Sequence, residues 1–506
     1  MSYQPSWLDK ALPPEVAKYA SSRWWATKAS SKVAVLALAA RNSSSSTIAS
    51  AIAAVSACKG PWLSASVCPA ETALAASCGA EQAAANSSAA VLAQMRAQGF
   101  DAAQVEISQR AMQEFNVAND EPTLLRSTQR HKLALLGLVD GRRASTEADD
   151  LGDEAIANTV AELFAAANSA PQDAANAVSA GQKLALSQGP LHADTAAMAD
   201  AMLDLLAFRA AKAKTATLEE AFVAHHRLDA HLATSCGSAL SSQLGWYDIG
   251  AMSTAREGQR CSSFNYTGGQ CDTLAGQSAS SRFGLGQMLT ELTRQIVTQP
   301  LAAPFVGDVV LTPHALDSLL GWLRGQLSDL ALISGTSLYR DKVGRPIASP
   351  LLSLRSRFDA PGVVAISADG FVTPPVQVLE AGRLTTLIPS LYASRKTGLA
   401  HVPVAATGWE VLAGATPLAE VMAGVLCGAV VGRLSMGSPA ANGDFSGVIK
   451  NSFLIEGGQV GKALSEVMVS GNMAQMLRDV LAVSQERLDT GAALLPWVRV
   501  SGLHFS

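Results

Sequence analysis

Aromatic residues make up only 5% of this 506-residue chain and charged residues only 16%. With hydrophobic residues at 48%, a large core is available, but it must be built mainly from Ala, Leu and Val. Lys and Arg number 38 against 42 Asp and Glu, a net charge of −4. That balance leaves no basic face for phosphate contacts, so a nucleic-acid partner is not expected. No apolar run approaches the ~20 residues a helix needs to span a bilayer, so no membrane partner is expected either. The 7 cysteines (Cys58, Cys68, Cys78, Cys236, Cys261, Cys271 and Cys427) are odd in number and form no C-x-x-C pair. Neither a disulfide framework nor a zinc ribbon is indicated, and free thiols in a reducing cytoplasm are expected.

The usual catalytic motifs are also missing. There is no G-x-x-x-x-G-K-[ST] loop, no G-x-S-x-G elbow and no H-E-x-x-H. Gly284-x-Gly286 lacks the third glycine of a dinucleotide fingerprint and falls in an amphipathic helical pattern. Ser446 has no histidine at motif distance, so a catalytic serine is not supported. His225, His226 and His231 share one strand-like run, but His226 and His231 differ in parity and face opposite sides. They read as surface or core histidines. His131, His192, His314, His401 and His504 stand alone. No catalytic residue is assigned.

Two features resemble an export signal. Arg23 and Lys28 precede the apolar run 33–40, and Val55-Ser56-Ala57-Cys58 has the form of a lipoprotein cleavage box. The run is short, begins far from Met1 and is split from Cys58 by Asn42-Ser43-Ser44-Ser45-Ser46, so a cytoplasmic location is expected.

The length implies two or three domains. Residues 1–86 are rich in Ala and Ser, hold Trp24, Trp25 and Trp62, and read as an extension outside the core. The sequence leaves open whether this stretch is ordered, or even translated. From 87 the pattern is globular. Val91, Leu92 and Met95 predict a helix ending at Gly99. Strand-like runs follow at 104–108, 113–117 and 132–139. Asp140-Gly141 predicts a hairpin turn into 142–146, and Ile156, Val160, Leu163 and Phe164 form one face of a helix. Residues 169–190 read as a linker, closing an N-terminal α+β domain at 87–190.

A middle segment, 191–300, carries a helix at 195–210 and strand-like runs at 218–224, 228–234, 244–252 and 261–267. Its last element is a helix at 283–298, with Met288, Leu289, Leu292 and Ile296 inward. A β-rich C-terminal domain, 301–506, opens with a strand at 306–311 that leads into a helix near His314. Thr416-Pro417 predicts an N-cap and a helix over 417–425. The fold class is α+β, with antiparallel sheets and packed helices.

The densest pattern lies near the end. Gly443-Asp444-Phe445-Ser446-Gly447 is followed by Ile455-Glu456-Gly457-Gly458 and by Ser470-Gly471-Asn472. Phe453-Leu454-Ile455 and Val467-Met468-Val469 are predicted to pair across Gly457-Gly458. Met473, Met476, Leu477 and Val480 recur at helical spacing. This order resembles the C-terminal signature of the TldD/PmbA family, bacterial two-subunit metallopeptidases once described as modulators of DNA gyrase. Charge gives that older description no support. The resemblance covers about 87–504. It is strong over 385–400, including Ala393-Ser394-Arg395-Lys396-Thr397-Gly398-Leu399, and over 440–504, and weak over 190–280.

In the metal-bearing subunit of this family, the strand–helix unit carries H-E-x-x-G-H, with two zinc-binding imidazoles and a general-base Glu. Here Gly321, Trp322 and Gln326 stand at the two His and the Glu positions, with Gly325 matching the motif glycine. Thr490 stands where that subunit has a ligand Cys. Gly335-Thr336-Ser337 and Gly344 match the stretch after the metal helix. The resemblance therefore implies the PmbA (TldE) type of subunit. That type has no cofactor of its own and a zinc-bearing TldD-type partner, and it meets unfolded peptide at their cleft. Gly443, Asp444, Phe445, Ser446, Gly457 and Gly458 are the candidate substrate-facing residues, with tight turns inside a sheet as the competing reading. The rival function is a non-enzymatic homodimer that holds peptides or a folding client. A self-sufficient hydrolase would need a nucleophile–base pair, and none is visible.

Overall fold

The computed structural model describes residues 87–465 and 467–506. The extension 1–86, with Trp24, Trp25, Trp62, Cys58, Cys68 and Cys78, lies outside the described residues. The remainder is α+β, as expected, with helices packed on mainly antiparallel sheets. Among the described residues no helix is long and apolar enough to cross a membrane. Cys236, Cys261, Cys271 and Cys427 are free thiols.

One eight-stranded sheet takes strands from both 87–190 and 191–300. They are β1 (Ala102–Ala118), β2 (Glu121–Val139), β3 (Arg142–Ala148), β4 (Lys183–Gln188), β5 (Ala216–Thr234), β6 (Ala239–Glu257), β7 (Arg260–Cys261) and β8 (Asn265–Cys271). The order is β3-β2-β1-β5-β6-β4, with β7 and β8 also pairing to β6. The runs expected at 104–108 and 113–117 are a single strand. Polar Ser108-Gln109-Arg110 does not interrupt it, because β1 is paired on both edges, to β2 and to β5. The same reason merges 218–224 with 228–234 into β5. The run expected at 261–267 shifts to β8. The expected linker 169–190 contains β4, which pairs parallel to β6. Asp140 and Gly141 turn between β2 and β3 with φ of 49° and 70°, the two left-handed residues such a hairpin requires.

Helices cover one face of this sheet. The helix 87–98 ends before Gly99, and Asp153–Ser169 buries Ile156, Val160 and Leu163. Both pack on Val105, Leu133 and Leu135. Thr195–Lys212 and Leu285–Arg294 cover Val223, Ile249 and Ala251. The helix expected over 283–298 is shorter at both ends. Gly284 caps it in a left-handed conformation, and Thr298–Gln299 leave it to pair with Ala463 and Leu464. Met288, Leu289, Leu292 and Ile296 are buried, as predicted.

The C-terminal domain is organised by its last strand, Ala493–Phe505. That strand pairs antiparallel with Phe305–Leu311, Val467–Asn472 and Val480–Asp489, and parallel with Trp409–Val411. Val498, Val500, Leu503 and Phe505 share a core with Leu316, Leu319, Leu320 and Leu323 of the helix Pro313–Leu327. Thr312 caps that helix, its hydroxyl accepting from Ala315 N, with Pro313 in the first turn.

Three expectations in this domain need correction. Phe453–Glu456 pairs with Gln459–Leu464 across Gly457-Gly458, not with Val467–Asn472, which pairs instead with Asp444–Lys450. Gly457 and Gly458 have φ of 55° and 78°, so they close a two-residue hairpin onto the very next residues, the entropically cheapest partner. Thr416 does not cap a helix over 417–425. It bridges to Ser484, and the helix is Leu418–Ala423 with Pro417 before it. The helix Met473–Arg478 stops before Val480, which starts the next strand.

The two domains are tied by Asp173, which accepts from Tyr392 Oη at 2.8 Å and pairs with Lys396 Nζ at 2.7 Å. The Lys396 bond, then the Ala175 N–H and the Tyr392 hydroxyl, hold its carboxyl at about 2. A depressed carboxyl stabilises the fold above its ordinary pKa, and that contribution is lost as pH falls toward 2. Asp173→Asn should therefore lower the melting temperature at pH 7 and bring the two proteins' values together as pH falls below about 4. Melting curves across pH 2–7 measure this.

Candidate functional site

The seam between the domains is built around β8. Its inner edge pairs with β6, from Tyr247–Cys271 to Ser253–Asn265. Its outer edge faces the C-terminal domain. Gln270 N donates to Thr490 O at 3.0 Å, and Tyr266 O accepts from Arg433. In an antiparallel ladder alternate residues turn their backbone groups to the same edge. Gly268, between Tyr266 and Gln270, therefore also points its N–H and C=O outward. No described residue bonds to either group.

The glycines here are required by space. A Cβ on Gly268 would lie 2.6 Å from Ile249 O, and one on Gly269 2.7 Å from Thr490 O. Arg433 also stacks on the Tyr266 ring, its guanidinium carbon 3.6 Å from the centroid, and donates to Asn265 Oδ1 at 3.0 Å.

Two cavities open on either side of Gly268, and both are lined by Tyr266, Thr267, Gly268 and Thr490. One, of about 210 Å³, lies under the helix Pro313–Leu327 and includes His314, Asp317 and Arg433. The other, of about 430 Å³, includes Glu220, Phe222, Asp248, Gln270 and Thr407.

His314 Nε2 lies 3.1 Å from Thr267 Oγ1, and that hydroxyl spends its proton on Phe283 O at 2.6 Å. Thr267 must then accept from His314, which places the ring proton on Nε2. Burial, and then Arg433, push this imidazole down to about 4, so at neutral pH it is an uncharged donor. Asp248 behaves in the opposite sense. Burial raises its carboxyl to about 6, against the pull of Arg110.

The residues singled out from sequence fall into three places. Trp322, Gln326 and Gly443 come together. A Cβ on Gly443 would sit 3.1 Å from the Trp322 ring, and Gln326 Nε2 lies 3.5 Å from Ala441 O. Trp322 packs against the core and meets Tyr339 edge-on at 6.1 Å. Gln326 is buried, and its Oε1 accepts from Leu338 N at 2.9 Å. Gly321 lies on the same helix, one turn past Asp317, where the smaller cavity's lining stops.

Thr490 is in the second place, at the seam beside Gly269. Asp444 is bound to the Asn442 and Asn472 side chains, Phe445 is buried and Ser446 is exposed. Gly457-Gly458 is in the third place, a turn packed on Ala423. The six candidate substrate-facing residues thus do not form one surface.

Sequence reasoning missed His314, Asp248, Arg433 and Gly268. Only the Gly268-Gly269 doublet inside a strand carried a signal, that of close backbone approach.

The zinc that the resemblance implies finds no ligands at these positions. Gly321 and Trp322 offer no ligand atom, and the Gln326 amide is committed to the backbone. Among the described residues no three His, Cys, Asp or Glu side chains converge so as to hold a metal ion. These side chains do not fit a zinc site. The seam offers one open pair of backbone groups, a neutral imidazole donor and a raised carboxyl, but no paired nucleophile and base. It is equipped to hold an extended segment.

Comparison with known proteins agrees with the family resemblance. Residues 306–506 match the family model described as the PmbA/TldA metallopeptidase C-terminal domain. "Metalloprotease PmbA" of Escherichia coli O157:H7 is 22% identical over 205 residues, 38% of this chain and 45% of that protein. "Metalloprotease PmbA homolog" of Haemophilus influenzae is 28% identical over 193 residues, 34% of this chain and 42% of that protein. The matched stretches thus span less than half of either relative. The crystal structure of TldE from Thermococcus kodakarensis superposes with a TM-score of 0.71 at 16% identity, covering 83% of this chain and 100% of that one. That likeness is one of fold.

Trp322 fills space between Tyr339 and Gly443. Trp322→Ala should cost about 2–4 kcal/mol by leaving a cavity beside Tyr339 and Gly443, while Trp322→Phe should cost about 1 kcal/mol. Urea unfolding of the two variants measures both.

Proposed function

We propose that this chain, whose residues 306–506 match the PmbA/TldA metallopeptidase C-terminal domain, is the PmbA (TldE) type of subunit. It would pair with a zinc-bearing TldD-type subunit in a cytoplasmic peptidase that processes unfolded peptides. What supports this reading is the helix Pro313–Leu327. At the positions where the metal-bearing relative needs two imidazoles and a carboxylate, it carries Gly321, Trp322 and Gln326, and the last two are taken up in packing and a backbone hydrogen bond. Zinc, with its activation of water, belongs to the partner.

This chain's own share is to hold substrate. The open backbone pair at Gly268 lets an extended peptide bond by main-chain groups, which tolerates many sequences. The resemblance to TldE in fold supports the pairing, and the seam geometry supports the peptide.

Mixed with a zinc-bearing relative from the same cell, the chain should form a heterodimer that cleaves unstructured peptides. A chelator, or loss of the partner's metal-helix Glu, should abolish cleavage. Trp322→Phe should leave it intact. The reading is overturned if the isolated chain holds about one tightly bound zinc. It is overturned equally if Trp322→Phe stops turnover while the heterodimer still assembles and binds peptide.

A further inference from the structure

The larger seam cavity carries charge of one sign and has a floor without side chains. Its charged lining residues are Glu220 and Asp248. Its floor is Gly250 and Gly268, which are direct cross-strand neighbours. The Phe222 ring lies over Gly250, where a Cβ would meet it at 2.7 Å. Asp248 sits two cross-strand pairs further on, on the same face, opposite Gln270.

No described residue hydrogen-bonds the Asp248 carboxylate. The nearby cation, Arg110, is engaged elsewhere. It lies 3.3 Å from His226 Nδ1 and stacks 5.5 Å from the Trp246 centroid. A half-buried carboxyl without a hydrogen-bond partner is costly to keep charged, and its own raised pKa reflects that cost.

The open edge and the cavity adjoin at the same residue. A peptide strand bonding to the Gly268 N–H and C=O lies beside β8. The residue opposite Gly268 then points its side chain to one of the two faces, and cross-strand neighbours share a face. On the Gly250–Gly268 face that side chain enters the larger cavity. A long aliphatic stem would cover the bare glycine floor and the Phe222 ring, and a cationic head would reach Asp248 and Glu220.

We infer that the seam beside Gly268 is a side-chain subsite for Lys or Arg of a bound peptide, with Asp248 and Glu220 as its recognition groups. This rests on the peptide-holding reading above and adds a preference to it. Asp248 is a specificity residue and takes no part in bond cleavage.

The test uses fluorescent unstructured peptides that are identical except for one central residue. Lysine is compared with norleucine, its uncharged counterpart of similar length, and with glutamate. Binding is measured by anisotropy at pH 7.5 and low salt, with the full chain alone and with its metal-bearing partner. The lysine peptide should bind about tenfold more tightly than the norleucine peptide, and the glutamate peptide more weakly than either.

Asp248→Asn should bring lysine down to the norleucine level and leave norleucine binding unchanged, and Glu220→Gln should do so in part. The norleucine peptide is the internal measure that each variant remains folded. Equal binding of lysine and norleucine by the wild-type chain overturns the subsite and leaves the peptide-holding reading standing. A lysine preference that survives the double substitution also overturns it. Failure of every peptide to bind overturns the peptide-holding reading, and the subsite with it.

Discussion

A strand edge must be paired, covered or left for a ligand, because backbone N–H and C=O groups are costly to bury alone. β8 meets that requirement in three ways within seven residues. Its inner edge is paired to β6. Its outer edge is closed at Gln270 by the Thr490 carbonyl and at Tyr266 by the Arg433 guanidinium. Between these closures Gly268 remains open. The fit of the two domains follows from the first two, and the candidate site from the third. Gly269 lets the Thr490 backbone approach this closely, so a side chain there would force the seam apart, and Gly268 leaves room for the neighbouring backbone of β6.

The helix Pro313–Leu327 contributes to the seam from the other domain. Its start is fixed by Thr312 and Pro313, which places His314 against Thr267. Its apolar stripe of Leu316, Leu319, Leu320 and Leu323 anchors it on the last strand of the chain. The remaining positions were free to take chemistry or packing. In this chain Trp322 supports the Gly443 turn and Gln326 bonds the loop at Leu338. The inward positions of this helix thus serve assembly of the domain.

Much of the fold was legible in the order of residues. The helices at 87–98, Asp153–Ser169, Thr195–Lys212 and Pro313–Leu327 follow from local spacing, caps and glycine stops. The Asp140-Gly141 hairpin follows from its turn chemistry. These signals lie within a few residues of the structure they specify, so no distant partner is needed to read them. The failures share the opposite property. β1 and β5 each read as two strands because the polar residues at their centres suggest a break. Both are continuous because each is paired along both edges, one of them to the other strand more than a hundred residues away. Phe453–Glu456 had two apolar runs to choose between, and periodicity alone does not rank them.

The same division separates the site from the sequence. By itself the sequence determined that Gly321, Trp322 and Gln326 offer no ordinary zinc ligand, since that is a matter of which side chains exist. The Gly268-Gly269 doublet, outside the strand expected at 261–267, permits a close approach. Only the tertiary structure decided what makes the approach. It brought Thr490 and Arg433 against β8, turned His314 into a neutral donor by burial, and enclosed Asp248 without a hydrogen-bond partner. Those properties depend on dielectric surroundings and on contacts between residues far apart in the chain, and no local pattern encodes them.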